Sequence, residues 1–269
     1  MRQIERYEAY CFDLDGTIYL DDQVLPGAVE TIATLRKLHK KVLFISNTPT
    51  QTRMDCVRRL TAFGIEVEEQ EVITAGYMTA LYFKEHYPES MTFVVGEEAI
   101  RQEFGNLELP ITLNPFEATH VVVGLDREFS YEKLNKAMQA VRNGAKLIVT
   151  NLDSVCPVPG GFVADTMAIA KAIETASDEA IYTIIGKPSH YYARKMLQFV
   201  ETPATNCLII GDRIETDILL GKHANIPTCL VLTGVSNREH IEKTCVKPDY
   251  VIERLDHLMV PTSGVKKTI

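Results

Sequence analysis

Short β-branched and aromatic runs alternate with amphipathic stretches along nearly the whole chain, the rhythm of a parallel sheet covered by helices on both faces. The first apolar run, Ala9–Leu14, gives way to a loop with Gly16 and the turn Pro26–Gly27, after which apolar spacing predicts a helix over Val29–His39. A strand at Lys41–Ser46 follows, then a helix near Thr50–Phe63 with Gly64 as its C-terminal cap, and a short strand at Glu71–Thr74 leading into a helical pattern up to Tyr87. Past Pro88 the content changes: strands are expected at Thr92–Val95, His120–Leu125 and Lys146–Thr150, and helices at Glu97–Phe104 and Tyr131–Arg142. Asn151–Gly161, with Pro157, Pro159 and a glycine pair, reads as irregular. From Tyr182 the rhythm resumes with Ile184–Ile185, a helix after Pro188, Cys207–Ile210, a helix from Glu215, Cys229–Leu232 and Tyr250–Ile252. The last nine residues, PTSGVKKTI, read as an unstructured tail. The pattern defines an α/β fold, a doubly wound parallel sheet, whose core is expected over 1–79 and 181–269, with a separate α/β cap inserted at 80–180.

Composition narrows the function. The chain has 269 residues, about two domains at roughly 150 residues each. Its 28 basic and 36 acidic residues leave a net charge of −8, which disfavours a broad nucleic-acid or anionic-membrane surface. An anionic substrate therefore needs a local positive site. Six cysteines occur without a CxxC or a paired Cys/His spacing, so neither a zinc ribbon nor a redox pair is written here. The N-terminal ten residues lack an apolar core and no run of about 18 apolar residues follows, so a cytoplasmic protein is expected.

In open parallel sheets the ligand lies outside the carboxyl ends of the strands. Four predicted strand ends carry related polar residues. Asp13-Leu14-Asp15-Gly16-Thr17 closes the first strand with two carboxylates, which strand periodicity would place on one face. Anions this close need a cation or a shared proton, and Mg²⁺ is the hard cation that takes such oxygens. Ser46-Asn47-Thr48 closes the second strand before a helix, where a hydroxyl and free N–H groups suit a phosphate. Gly186-Lys187-Pro188 places one ammonium at the sheet edge, and Gly211-Asp212, with Asp217 five residues on, supplies further carboxylates. Each alone is an ordinary turn or cap; their joint occurrence at four strand ends is what points to a site.

The four signatures, DLDGT at 13–17, SNT at 46–48, GKP at 186–188 and GDRIETD at 211–217, closely resemble those of the haloacid dehalogenase superfamily of phosphatases. An insert of about a hundred residues between the second and third resembles the NagD-like, p-nitrophenyl phosphatase branch. That resemblance implies Asp13 as nucleophile and Mg²⁺ ligand, and Asp15 as general acid and base that also lends the metal its backbone carbonyl. It implies Ser46 and the Asn47 N–H as phosphoryl binders, Lys187 as the neutralising cation, Asp212 as the remaining metal ligand, and Asp217 as support behind it. It further implies a small phosphorylated metabolite as substrate, such as a sugar phosphate, polyol phosphate or nucleoside monophosphate, and a homodimer formed through the cap.

A phosphomutase using the same aspartyl phosphate, a phosphate-ligand sensor without turnover, and a nucleotide-sugar transferase are the alternatives; the sensor would have no need of Asp15, and the transferase leaves Ser46, Lys187 and Asp212 unexplained. Asn151 and Asp153 read first as turn caps, with substrate contact as the sharper alternative. The Arg53–Arg59 stretch reads as a solvated helix face, and Tyr191 and Tyr192 as packing of a helix start.

Overall fold

The computed structural model describes residues 6–158, 161–259 and 266–267, which divide into two compact units. One comprises 1–46, 56–73 and 187–269; the other comprises 47–55 and 74–186. The second unit thus takes in the segment expected as an insert at 80–180, together with 74–79 and 181–186, expected in the core, and the short stretch from Asn47 to Asp55.

The chain opens with β1 (Ala9–Asp13), every residue of which is buried, as a strand flanked on both sides and covered on both faces requires. A small antiparallel hairpin follows, β2 (Tyr19–Leu20) against β3 (Gln23–Val24). Then α1 (Ala28–Lys37) buries Ala28, Thr31, Ile32 and Leu35, the i, i+3, i+4, i+7 face of its sequence. After β4 (Lys41–Ser46), α2 (Arg53–Ala62) begins later than the apolar spacing suggested, because Thr52 and Asp55 bond each other's backbone N–H groups and fix the start. Gly64 closes that segment at φ +82°, in the left-handed region. β5 (Val72–Thr74) runs directly into α3 (Ala75–His86), whose N-cap is Thr74.

The second unit continues with β6 (Thr92–Val95), α4 (Glu98–Asn106), β7 (His120–Val123), α5 (Tyr131–Arg142) and β8 (Lys146–Val149). The stretch read as irregular instead forms a two-stranded antiparallel ribbon, β9 (Val155–Val158) with β10 (Gly161–Ala164). Pro157 misled the sequence reading; a proline is tolerated in a two-stranded ribbon, where every strand is an edge. Gly160 of the expected glycine pair, like Pro159, lies outside the described residues. Next come α6 (Thr166–Ser177), capped by Asp165, and β11 (Thr183–Ile184). Strands β11, β8, β7 and β6 form a four-stranded parallel sheet in that order, over a core of Val121, Val123, Leu147, Ala170 and Ile173.

Back in the first unit lie α7 (His190–Val200), β12 (Cys207–Gly211), α8 (Leu219–Ala224), β13 (Thr228–Val231), α9 (Arg238–Lys243) and β14 (Tyr250–Ile252). The helix expected from Glu215 begins as one π-helical turn, Ile214–Ile218, before α8. β15 (Lys266–Lys267) pairs antiparallel with β14, so this part of the expected unstructured tail is a strand, while the rest lies outside the described residues. The sheet order β15-β14-β13-β12-β1-β4-β5 puts β1 in the sheet's interior, between β12 and β4, the next strand of this sheet in sequence. That reversal is the topological switch point, where the carboxyl ends of β1, β4 and β12 face one crevice. Cys11, Cys56, Cys207 and Cys229 are buried, and none of the described cysteines forms a disulfide.

Candidate active site

Asp13 is the last residue of β1 and its partner across β4 is Ile45, which brings Ser46 to the same sheet edge. Strand β1 ends there: Leu14 accepts backbone bonds from Thr17, Ile18 and Tyr19, and Gly16 turns at φ +85°. Asp15 therefore does not share the face of Asp13 by strand alternation. It lies beyond the strand and is exposed, whereas Asp13 is buried.

Lys187 meets Asp13 from the opposite side of the chain's sequence. Its side chain is 1% exposed, and its ammonium donates to Asp13 Oδ1 and Asp217 Oδ1, each at 2.7 Å, and to the Ile45 carbonyl at 3.4 Å. Burial alone would discharge this amine, but Asp13 and Asp217 outweigh it and hold its pKa above that of an ordinary lysine. The other oxygen of Asp13, Oδ2, is buried without a hydrogen-bond partner. Asp212, at the turn after β12, accepts from the Val235 N–H at 2.6 Å through Oδ2. Carboxylate oxygens of Asp13, Asp212 and Asp217 lie within 4.8 Å of one another, all three residues buried.

Three carboxylates against one ammonium leave a buried excess of negative charge, which a protein interior does not hold without a counter-charge. The pKa of Asp13 is driven well above the carboxylate range by burial, and Asp217 and Asp212 push it further while Lys187 opposes them. Asp212 is pushed up to about 7, by burial first and then by Asp217. An orphaned carboxylate oxygen within an all-oxygen donor set fits a hard divalent cation. The carboxylate of Asp15 is outside this cluster. Although the residue as a whole is exposed, loss of water around its carboxyl raises its pKa, with Arg59 and then Lys187 pulling the other way.

Glycines make the close approach possible. A Cβ on Gly16 would meet Asp212 Oδ2 at 2.6 Å, one on Gly234 would meet the same oxygen at 2.0 Å, and one on Gly211 would meet Asp217 Cγ at 2.3 Å. The segment after β13 was not singled out in the sequence, yet Val235 bonds Asp212 and Thr233 Oγ1 donates to the Gly16 carbonyl at 2.6 Å. Tyr192 was also missed: fully buried, its hydroxyl reaches the carbonyls of Ser46 and Ile73 at 3.3 and 3.1 Å, tying the end of β4 to β5 and α7. Nothing in the sequence distinguishes it from Tyr191. Arg59 is no solvated residue either; its guanidinium stacks 4.1 Å over the ring of Tyr19.

Asn47 belongs to the second unit. There its amide donates to Asp153 at 3.0 Å and its carbonyl accepts from Asn151 at 2.8 Å, while Asn151 Oδ1 takes the Asp153 N–H at 3.0 Å. The turn-capping expectation for Asn151 is thus met, and both residues are tied to Asn47 besides.

Comparison with known proteins places this geometry. Residues 10–109 match the family model of haloacid dehalogenase-like hydrolases, and 184–258 match a HAD-hydrolase-like model. The sugar-phosphatase AraL of Bacillus subtilis is 35% identical over 90% of this chain and 89% of its own length. The 5'-nucleotidase YutF of the same organism is 32% identical over 94% and 97%. Among solved structures, the p-nitrophenyl phosphatase from Archaeoglobus fulgidus superposes with a TM-score of 0.89 at 34% identity, covering 94% of this chain and 98% of that one. The chain belongs to the haloacid dehalogenase-like hydrolases. Within them it is a phosphoric monoester hydrolase of the p-nitrophenyl phosphatase type.

Proposed function

We propose that the protein is a Mg²⁺-dependent phosphatase of small phosphorylated metabolites that works through an aspartyl phosphate on Asp13. The observation that carries this reading is the state of Asp13 itself, one oxygen held by a buried lysine and the other bare among two further carboxylates. A carboxylate can approach a phosphate ester only if its charge and the ester's are offset. Lys187 supplies one positive charge, and Mg²⁺ held by Asp13, Asp212 and the Asp15 carbonyl would supply the rest as a Lewis acid on the phosphoryl oxygens.

Phosphoryl oxygens would be received by the Ser46 hydroxyl and the Asn47 N–H at the end of β4. Asp13 attacks phosphorus while Asp15 gives its proton to the departing alcohol; Asp15 then takes a proton from the water that attacks the phosphoryl group, and Asp13 leaves as carboxylate. Asp217 holds Lys187 from behind throughout. The names of the relatives, a sugar phosphatase, a 5'-nucleotidase and a p-nitrophenyl phosphatase, support phosphorylated sugars and nucleoside monophosphates as the substrate class.

The test is phosphate release from such a panel. Chelation should abolish it and Mg²⁺ restore it, whereas full activity in chelator would remove the metal from the reading. Asp15→Ala should lower kcat/KM, which reports the transfer to Asp13 and not the later hydrolysis, by about 10²–10⁴-fold with alkyl phosphates and much less with p-nitrophenyl phosphate, whose leaving group needs no proton. Equal losses would remove Asp15 as the acid.

A further inference from the structure

Arg59 sits on α2, and only 22% of its side chain is exposed. Its guanidinium lies 4.1 Å over the Tyr19 ring, donates to the carbonyl of Asp21, and stands 3.6 Å from Asp22. Asp21 is the tip of the β2–β3 hairpin and holds a left-handed φ of +46°, so the bond to its carbonyl fixes a backbone position that would otherwise relax. The hairpin in turn starts at Asp15: a backbone bridge joins Asp15 to Tyr19, and the Gly16 N–H donates to the Tyr19 carbonyl at 2.7 Å. Tyr19 is fully buried, and its ring packs on Phe63 at 5.6 Å.

A surface arginine kept for solubility would show none of this. We infer that Arg59 and Tyr19 are positioning residues, which lock the β2–β3 hairpin to α2 and so hold the Asp15 carboxyl where it can meet the leaving-group oxygen. The inference rests on Asp15 being the general acid of the proposed phosphatase. Its chemical consequence is selective. Orientation of the acid matters when the departing oxygen must take a proton as its bond to phosphorus breaks, and matters little when a phenolate departs unassisted. The planar guanidinium is what the stack and the carbonyl require, so a lysine would replace it only in part.

The experiment compares kcat and KM for glycerol phosphate and for p-nitrophenyl phosphate, at saturating Mg²⁺, in wild type, Arg59→Gln, Arg59→Lys and Tyr19→Leu. Arg59→Gln should lower kcat/KM for glycerol phosphate, which reports the transfer to Asp13, by about tenfold or more, within the range open to general acid catalysis, with KM changed less than about twofold. Its loss with p-nitrophenyl phosphate should be several times smaller. Arg59→Lys should recover part of the deficit, and Tyr19→Leu, which removes the ring under the guanidinium, should show a loss with the same selectivity. Equal losses on both substrates, or a change in KM alone, would overturn the positioning role. If Arg59→Gln does not fold, Arg59→Lys, which keeps the charge but not the planar fork, carries the same comparison. Wild-type protein inert toward both esters would instead overturn the phosphatase reading itself, and with it this inference.

Discussion

Asp13, Asp212 and Asp217 share one buried site with a single ammonium, and in chelator their mutual repulsion acts against folding. Asp212 shows the sign. With its pKa pushed up to about 7, the folded state keeps a proton that the unfolded chain releases above about pH 4, so this residue's contribution falls as pH rises from about 4 to about 7 and is level beyond. At about 1.4 kcal/mol per unit the loss is on the order of 4 kcal/mol at most. Asp212→Asn in chelator should therefore melt above wild type at pH 7.5 and close to it at pH 4; equal melting at pH 7.5 would contradict the burial argument. Lys187 gives the converse. Replacing it with Met leaves Asp13 and Asp217 facing each other unpaired, and urea unfolding should show a loss of about 3–5 kcal/mol as well as lost turnover. An unchanged urea midpoint would mean that the ammonium does not hold the pair.

At the scale of elements, β7 carries a titratable group with no part in the chemistry. His120 is buried against Phe83 and Tyr87, with ring centroids at 5.2 and 4.4 Å, and its Nε2 has no partner. Burial, followed by Lys146, lowers its pKa to about 4. The neutral ring is then favoured in the fold: its contribution is complete above about pH 6.5 and drains away as pH falls toward 4. Thermal melts across that window should show a shallower acid loss in His120→Phe than in wild type, and identical slopes would remove His120 as the cause. Sequence pattern located most strands and helices here because burial follows periodicity, with Lys41–Ser46, Thr92–Val95, Tyr131–Arg142 and Tyr250–Ile252 recovered at their bounds. It failed where backbone pairing decides the matter alone. The β9–β10 ribbon contains a proline and exposes all of Gly161–Ala164, so no alternation marked it, and the early end of β1 at Asp13 is fixed by the bonds to Leu14 rather than by any side chain.

Across the whole molecule, the four motifs were legible because each joins a strand end to a loop of unusual composition, and the sheet order brings three of those ends together. Tyr192, Arg59 and the segment from Thr233 to Ser236 were not legible, since what they do depends on neighbours distant in sequence: Tyr192 bonds Ser46, and Val235 bonds Asp212. No helix among the described residues is long and apolar enough to cross a membrane. The chain belongs to the haloacid dehalogenase-like hydrolases, and the proposed covalent step on Asp13 is the claim on which the rest of the proposed function depends. It can be trapped directly. Protein mixed with Mg²⁺ and a phosphate ester labelled on phosphorus, then quenched in acid, should carry label that hydroxylamine removes and that maps to the peptide containing Asp13. Asp13→Asn should carry none and should lose turnover by at least about 10³-fold. Phosphate release by wild type without labelled protein, together with substantial turnover by Asp13→Asn, would show that Asp13 is not the nucleophile.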